Sequence, residues 1–234
     1  MIAHTRCPVC DTEDSFIEFN QRPFAKCGRC KSLERHRIMW LALEHLGVLV
    51  PGTRVLHFAP EVGIAARIAE KVGQSYTAAD LNAPGYYGDS YKAIKLDMCH
   101  DLGTLPKASV DLVLHNHVLE HVGCSVRQVL TALDALLASG GVHMFSIPIE
   151  GPTTQEDLSP ELPESERVRR FGQHDHLRMF GRDVYTLLQT LWPDVSTVDL
   201  NEFTTPQSRR YYGIPEQVVG AIGPHTIFIR KKPD

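Results

Sequence analysis

No run of about 18 apolar residues occurs in these 234 residues, so a membrane-spanning helix is not expected. The opening MIAHTRCPVC has no apolar signal core and no cleavage-site pattern, and the expected location is the cytoplasm. An excess of positive charge is lacking too. The formal charge of −4 argues against broad, charge-driven nucleic-acid binding. Internal repeats and low-complexity tracts are absent. What the chain does have is 43% hydrophobic residues, enough for a substantial core. The length allows one large domain, or one domain plus a small appendage.

Cysteine is scarce, but its spacing is informative. Four of the six cysteines form two pairs, Cys7-x2-Cys10 and Cys27-x2-Cys30, separated by sixteen residues. Two residues between thiolates let one turn aim both sulfurs at a single ion, and two such turns complete a tetrahedral zinc site. Pro8 and Gly28 suit the tight turns. The competing readings are two disulfides, which a reducing compartment disfavours, and unrelated thiols, which the paired spacing disfavours. Four thiolates leave no open position for a catalytic water, so the expected zinc is structural and stabilises a segment too small to fold alone. Cys99 and Cys124 lie apart from this cluster, and Cys124 reads as a packing residue.

From Gln21 to Trp40 there are six Lys or Arg (Arg22, Lys26, Arg29, Lys31, Arg35, Arg37) against one acid, Glu34. This 22–37 stretch reads first as a solvated basic face, and second as a local anion site or a docking surface for nucleic acid or protein.

The pattern beyond it divides the chain into a knuckle over 1–31, a connecting helix within 32–50, and a main domain over 51–234. Ser32 is positioned to cap a helix from Leu33 to about Leu46, closed by Gly47. After Val50-Pro51-Gly52, strands and helices alternate. Strands are expected over Arg54–Phe58, Ser75–Ala79, Ala93–Leu96, Val110–His115 and Val142–Ile147. Helices are expected over Ile64–Val72 and Val126–Leu137. A Gly-, Tyr- and Asp-rich loop spans 82–91, and Ser139-Gly140-Gly141 reads as a turn. This alternation implies right-handed βαβ crossovers and a parallel sheet. Residues 150–180 break the rhythm as an insertion suited to a lid or substrate loop. A helix over Arg182–Leu191 follows. Two last strands, Val195–Leu200 and Thr226–Arg230, read as an antiparallel edge hairpin.

Four segments carry a resemblance: VLHFAPEVG, the strand ending in Asp80, KLDMCHDL around Asp97, and DLVLHNHVLEHV. Their order is similar to that of the class I S-adenosylmethionine-dependent methyltransferases, over about Thr53 to Ile147. The resemblance implies a Rossmann-like, seven-stranded, mostly parallel sheet and S-adenosylmethionine as co-substrate. VLHFAPEVG stands where the family has VLDLGCGTG. Only Gly63 is kept, with Ala59 and Glu61 in place of the earlier glycines. Glycine allows close backbone approach to a ligand, and Ala59 is small enough to serve. Glu61 is the candidate partner of the cofactor's amino group. Asp80, 21 residues after Ala59, is expected to accept from the ribose hydroxyls. Asp97 would take the adenine amine, with Met98 packed on the ring. Phe58, Leu81, His115 and Asn116 complete the expected cofactor set.

LLASGGVHMFSIP resembles the family's next helix, turn and strand. The cysteine knuckle, SLERHR and FGQHDHLRMFG together look like an uncharacterised bacterial subgroup. His-Asn-His stands where base-modifying relatives have Asn-Pro-Pro-aromatic, which counts against base amino-group chemistry. The implied activity is methyl transfer to a small molecule. An RNA or protein methyltransferase docking through the knuckle is the first alternative. A non-catalytic binding module, supported by the lost glycines, is the second.

Methyl transfer from a sulfonium needs alignment, dryness and, for a protonated acceptor, a general base. His117, His174 and His176 are the candidate bases, and Arg178 the candidate clamp for an acidic acceptor. As a metal pair, His174 and His176 at i, i+2 suit a helix poorly. The oligomeric state cannot be read from the residues.

Overall fold

The computed structural model describes residues 4–83 and 92–234. Most of the expected loop over 82–91 therefore lies outside the described residues. Two short strands, β1 (Phe16–Phe19) and β2 (Arg22–Cys27), pair antiparallel and carry the cysteine turns. Helix α1 (Glu34–Leu46) follows and ends at Gly47, whose φ of 62° is the left-handed cap conformation. Ser32 does not cap it. The Ser32 hydroxyl lies 3.3 Å from Cys7 Sγ and 3.2 Å from Cys30 Sγ instead.

The main sheet is built from β3 (Val55–Phe58), β4 (Tyr76–Asp80), β5 (Ile94–Lys95), β6 (Val110–Asn116) and β7 (Leu137–Ser146), joined by α2 (Val62–Val72) and α3 (Val126–Leu136). The insertion holds β8 (Gln155–Glu156), α4 (Glu164–Phe171) and β9 (Arg178–Met179). The chain closes with α5 (Val184–Leu191), β10 (Ser196–Thr197), α6 (Pro206–Tyr211) and β11 (Phe228–Lys231). The strand order of the seven-stranded sheet is β10-β11-β7-β6-β3-β4-β5. Strands β5, β4, β3, β6 and β7 run parallel, while β11 pairs antiparallel with β7 and β10 antiparallel with β11. The Rossmann-like sheet with an antiparallel edge is thus present. A short helix, α6, lies between the two edge strands.

Ser139-Gly140-Gly141 is a kink inside β7 rather than a turn before it. Gly140 takes φ of 70°, and a Cβ on Gly141 would lie 2.8 Å from the Ala138 carbonyl. Helix α3 passes directly into the strand, which absorbs the glycines as an irregularity opposite Val110–Leu112.

Apolar layers cover both faces of the sheet. Leu56, Phe58, Val113, Phe145 and Phe228 face α3 and α5, contributing Leu130, Leu133 and Leu188. On the other face, Leu114 and Met144 meet Ile64 and Ile68 of α2 and Met39 and Leu43 of α1. Cys7, Val9 and Phe16 of the knuckle join this second layer, so the knuckle shares its core with the sheet. Fully buried Arg37 ties the two together. Its guanidinium donates to the carbonyls of Ala25 (3.1 Å), Ser32 (3.1 Å), Phe24 (3.3 Å) and Gly213 (2.7 Å), and stacks on Phe16. Arg22 pairs with buried Glu34 at 2.9 Å. The basic stretch is therefore not a uniformly solvated face, because Arg37 serves the interior. Among the described residues no helix is long and apolar enough to cross a membrane.

Candidate active site and cysteine centre

The parallel strands end along one edge, and the β3–α2 turn lies in its middle. Ala59 takes φ of 45°, a conformation that favours glycine, and its N–H donates to the Ala79 carbonyl at 2.9 Å. Phe58 is buried behind it. Glu61 follows, wedged between His57 Nε2 at 3.2 Å and His36 Nε2 at 3.3 Å. Burial opposes ionisation of Glu61, but His36, His57 and Arg35 outweigh it and hold the carboxyl down to about 2. Glu61 thus spans α1 and β3, and its carboxylate is taken up by two imidazoles. Gly63 starts α2 directly against Cys30.

Asp80 ends β4, where its Oδ1 accepts from Asn82 N–H at 2.7 Å, and exposed Leu81 follows. Asp97 sits in the turn after β5. It accepts from Cys99 N–H at 2.7 Å and contacts His100 Nδ1 at 3.0 Å. Burial works against its ionisation, yet His100 and the Cys99 amide keep its carboxyl below the usual range. Met98 is buried beside a cavity of about 250 Å³ lined by Leu102, Gln128, Val129, Cys99 and Cys124. Cys99 and Cys124 are joined as a disulfide with Cα atoms 5.8 Å apart. Their pairing, which the sequence did not suggest, joins the turns after β5 and β6. Cys124 still packs on the core.

At the end of β6 the expectations divide. His115 is fully buried, not open to the edge: it pairs with His143 Nε2 at 3.0 Å and stacks on Phe145. The strand's alternation turns it into the core beside Val113. Asn116 accepts from the Ser146 hydroxyl at 2.7 Å and is also buried. His117 takes φ of 51°, and its Nε2 lies 3.1 Å from the Pro224 carbonyl. Burial pushes its basicity well below that of free imidazole.

Sequence reasoning passed over Glu120. It lies in the short turn Leu119–His121, is fully buried, and has no hydrogen-bond partner for either carboxylate oxygen among the described residues. The side-chain nitrogens of His117 (Nδ1, 3.6 Å) and His121 (Nε2, 3.9 Å) lie near it. Burial raises its carboxyl to about 8. The signal was present in the sequence as the acid of VLEHV. Arg35, from SLERHR, adds a positive charge felt by both Glu61 and Glu120.

The insertion folds back onto this turn, with Leu177 N–H donating to the Glu120 carbonyl at 2.9 Å. Arg178 is fully buried and donates to Glu156 (2.6 Å) and to the carbonyls of Leu119 and Cys124. It is therefore committed to structure and not free to clamp an acceptor. His174 is exposed, whereas His176 is buried with Nδ1 2.8 Å from the Phe171 carbonyl.

The four knuckle cysteines converge. Cys7 and Cys30 sulfurs are 3.6 Å apart, those of Cys10 and Cys27 3.7 Å, and all four lie within 4.8 Å of one another. A tetrahedron with metal–sulfur bonds of about 2.3 Å has edges of about 3.8 Å, so the set fits zinc. Ser15 and Ser32 hydroxyls lie 3.2–3.3 Å from the sulfurs, where they can donate to thiolates.

A methyltransferase domain family matches residues 56–145, the segment from β3 to β7. The fold is similar to that of a SAM-dependent methyltransferase from Archaeoglobus fulgidus, at 14% identity and a TM-score of 0.54, covering 85% of this chain and 94% of that one. It is also similar to an S-adenosylmethionine-dependent methyltransferase from Mesorhizobium loti, at 19% identity and a TM-score of 0.52, covering 82% and 97%. No curated protein matches the sequence. Residues 56–145 thus match a methyltransferase domain, and the fold is that of S-adenosylmethionine-dependent methyltransferases.

Proposed function

We propose that this methyltransferase acts on a small-molecule acceptor and holds S-adenosylmethionine across the carboxyl edge of β3, β4 and β5. The observation that carries the cofactor reading is the strained turn at Ala59 followed by Asp80 one strand away. A backbone held at φ of 45° beside a strand-end carboxylate suits close approach of a ligand with a ribose diol. Gly63 continues the turn, and Asp97, Leu81 and Met98 border the adenine end. The sulfonium supplies the methyl group. The protein supplies orientation and exclusion of water.

The acceptor end is bounded by His117 and by the insertion, with His176 beneath and His174 at the rim. The small-molecule reading is supported by the fate of the 22–37 stretch. Arg37 lies in the core and is removed from any docking surface, and half-exposed Arg22 has its charge matched by Glu34. The acidic overall charge agrees. The knuckle holds a structural zinc through Cys7, Cys10, Cys27 and Cys30, and Cys7→Ser should lower the zinc content of the purified protein. Cytoplasmic location is part of the same proposal, and there Cys99 and Cys124 are held as a reduced thiol pair.

Release of S-adenosylhomocysteine can be followed with three acceptor pools: small metabolites, transfer RNA and total protein. Turnover with the metabolite pool alone is expected. Turnover only with RNA or protein would transfer the assignment to a docking enzyme.

A further inference from the structure

We propose a second metal site, distinct from the cysteine centre, in which Glu120, His121 Nε2 and His176 Nε2 bind a divalent transition ion such as zinc. The three residues offer ligand atoms within 4.8 Å of one another. Two come from the turn after β6 and one from the insertion, 55 residues later, so sequence spacing gives no hint of the set.

Three observations carry the site. First, Glu120 is fully buried, and no other described residue is a hydrogen-bond partner of either oxygen. A buried carboxylate without a partner is strongly disfavoured unless protonated or bound to a cation. Second, both histidines have their tautomers fixed from outside. His176 Nδ1 lies 2.8 Å from the Phe171 carbonyl, which can only accept, so Nδ1 carries the proton and the buried, unpartnered Nε2 offers its lone pair. His121 Nδ1 contacts Asp175 Oδ2 at 3.2 Å, which leaves its Nε2 facing Glu120. A carboxylate or carbonyl behind each imidazole is the usual outer support of metal-bound histidine. Third, the Leu177 N–H to Glu120 carbonyl bond fixes the insertion against the turn and so sets the third ligand in place.

The HDH trio therefore divides its work: His176 points inward, Asp175 orients His121, and His174 is exposed. Ligand atoms on one zinc ion lie roughly 3.0–3.4 Å apart, so closure requires movements of about 1–1.5 Å. Side-chain rotation of half-exposed His121 can supply much of that. Two imidazoles and one carboxylate make a three-ligand set of the open kind, with room for water or an acceptor oxygen. Only that last use rests on the methyltransferase reading.

The test is zinc stoichiometry and affinity on the full chain, with S-adenosylmethionine binding measured in parallel. Zinc-saturated wild type should hold two ions, one of which a mild chelator removes. His121→Ala, at the exposed ligand, should hold one. Asp175→Asn should weaken the chelatable site about ten-fold or more, the scale for loss of outer support. Cofactor binding retained in both variants separates the metal site from the methyl-donor site. A wild-type count of one, or a count of two unchanged in His121→Ala, would overturn the proposal and leave Glu120 as a protonated core carboxyl.

Discussion

Gly63 lies directly against Cys30. A Cβ on Gly63 would sit 3.1 Å from both the Cys30 Cβ and its carbonyl oxygen, and 3.3 Å from its sulfur. The one glycine retained in the β3–α2 turn thus also forms the floor on which the cysteine centre rests.

Gly63→Ala separates two effects of opposite sign. Helix propensity favours alanine by up to about 1 kcal/mol. Overpacking against backbone and a metal ligand costs about 1–3 kcal/mol. We expect a net loss of stability in the zinc-loaded chain, and a smaller one after zinc removal, when Cys30 can move. Urea midpoints of both variants with and without zinc measure this. A gain in stability would show that the knuckle yields freely at this contact.

Ala59→Gly addresses strain. A non-glycine residue in the left-handed region costs roughly 1–2 kcal/mol, offset in part by the entropy of a glycine in the unfolded chain. The variant is expected to be more stable by up to about 1 kcal/mol. Thermal denaturation checks it, and a clear loss would mean that the alanine methyl packs usefully.

The His115–His143 pair predicts a pH dependence. Burial holds His143 down to about 3, and pushes His115 well below free imidazole. Both folded-state values are depressed, so between about 6.5 and 3 the unfolded chain binds more protons than the folded one. Stability is therefore full above pH 6.5 and declines as the pH falls, by a few kcal/mol overall. Urea midpoints between pH 7 and 5 should drop in wild type and drop less steeply in His143→Leu. Equal slopes would assign the acid sensitivity to other groups.

The order of strands, the antiparallel edge and the cysteine cluster were legible because each rests on local pattern: apolar runs, turn residues and paired thiols. The candidate cofactor edge could be drawn from the sequence only where it follows from strand ends, as at Ala59 and Asp80, which the structure places on neighbouring strands. His115 was misplaced because alternation along β6 was not carried to its last residues. Ser32 was assigned to a helix cap because nothing local reveals that its hydroxyl serves two sulfurs. Arg37, Arg178, Glu120 and the Cys99–Cys124 bond depend on contacts between distant segments, and periodicity carries no information about these. Glu61 was read as a ligand for the cofactor because one of the two histidines that hold it, His36, comes from a distant helix, and nothing in VLHFAPEVG shows that His57 turns toward it.

Asp80 bears most directly on the central claim, that the methyl donor lies on the carboxyl edge of the parallel sheet. Titration calorimetry with S-adenosylmethionine on wild type and Asp80→Ala should show a single site, weakened in the variant by about 1.5–3 kcal/mol, the scale for hydrogen bonds to a charged group. An unchanged dissociation constant would contradict the account.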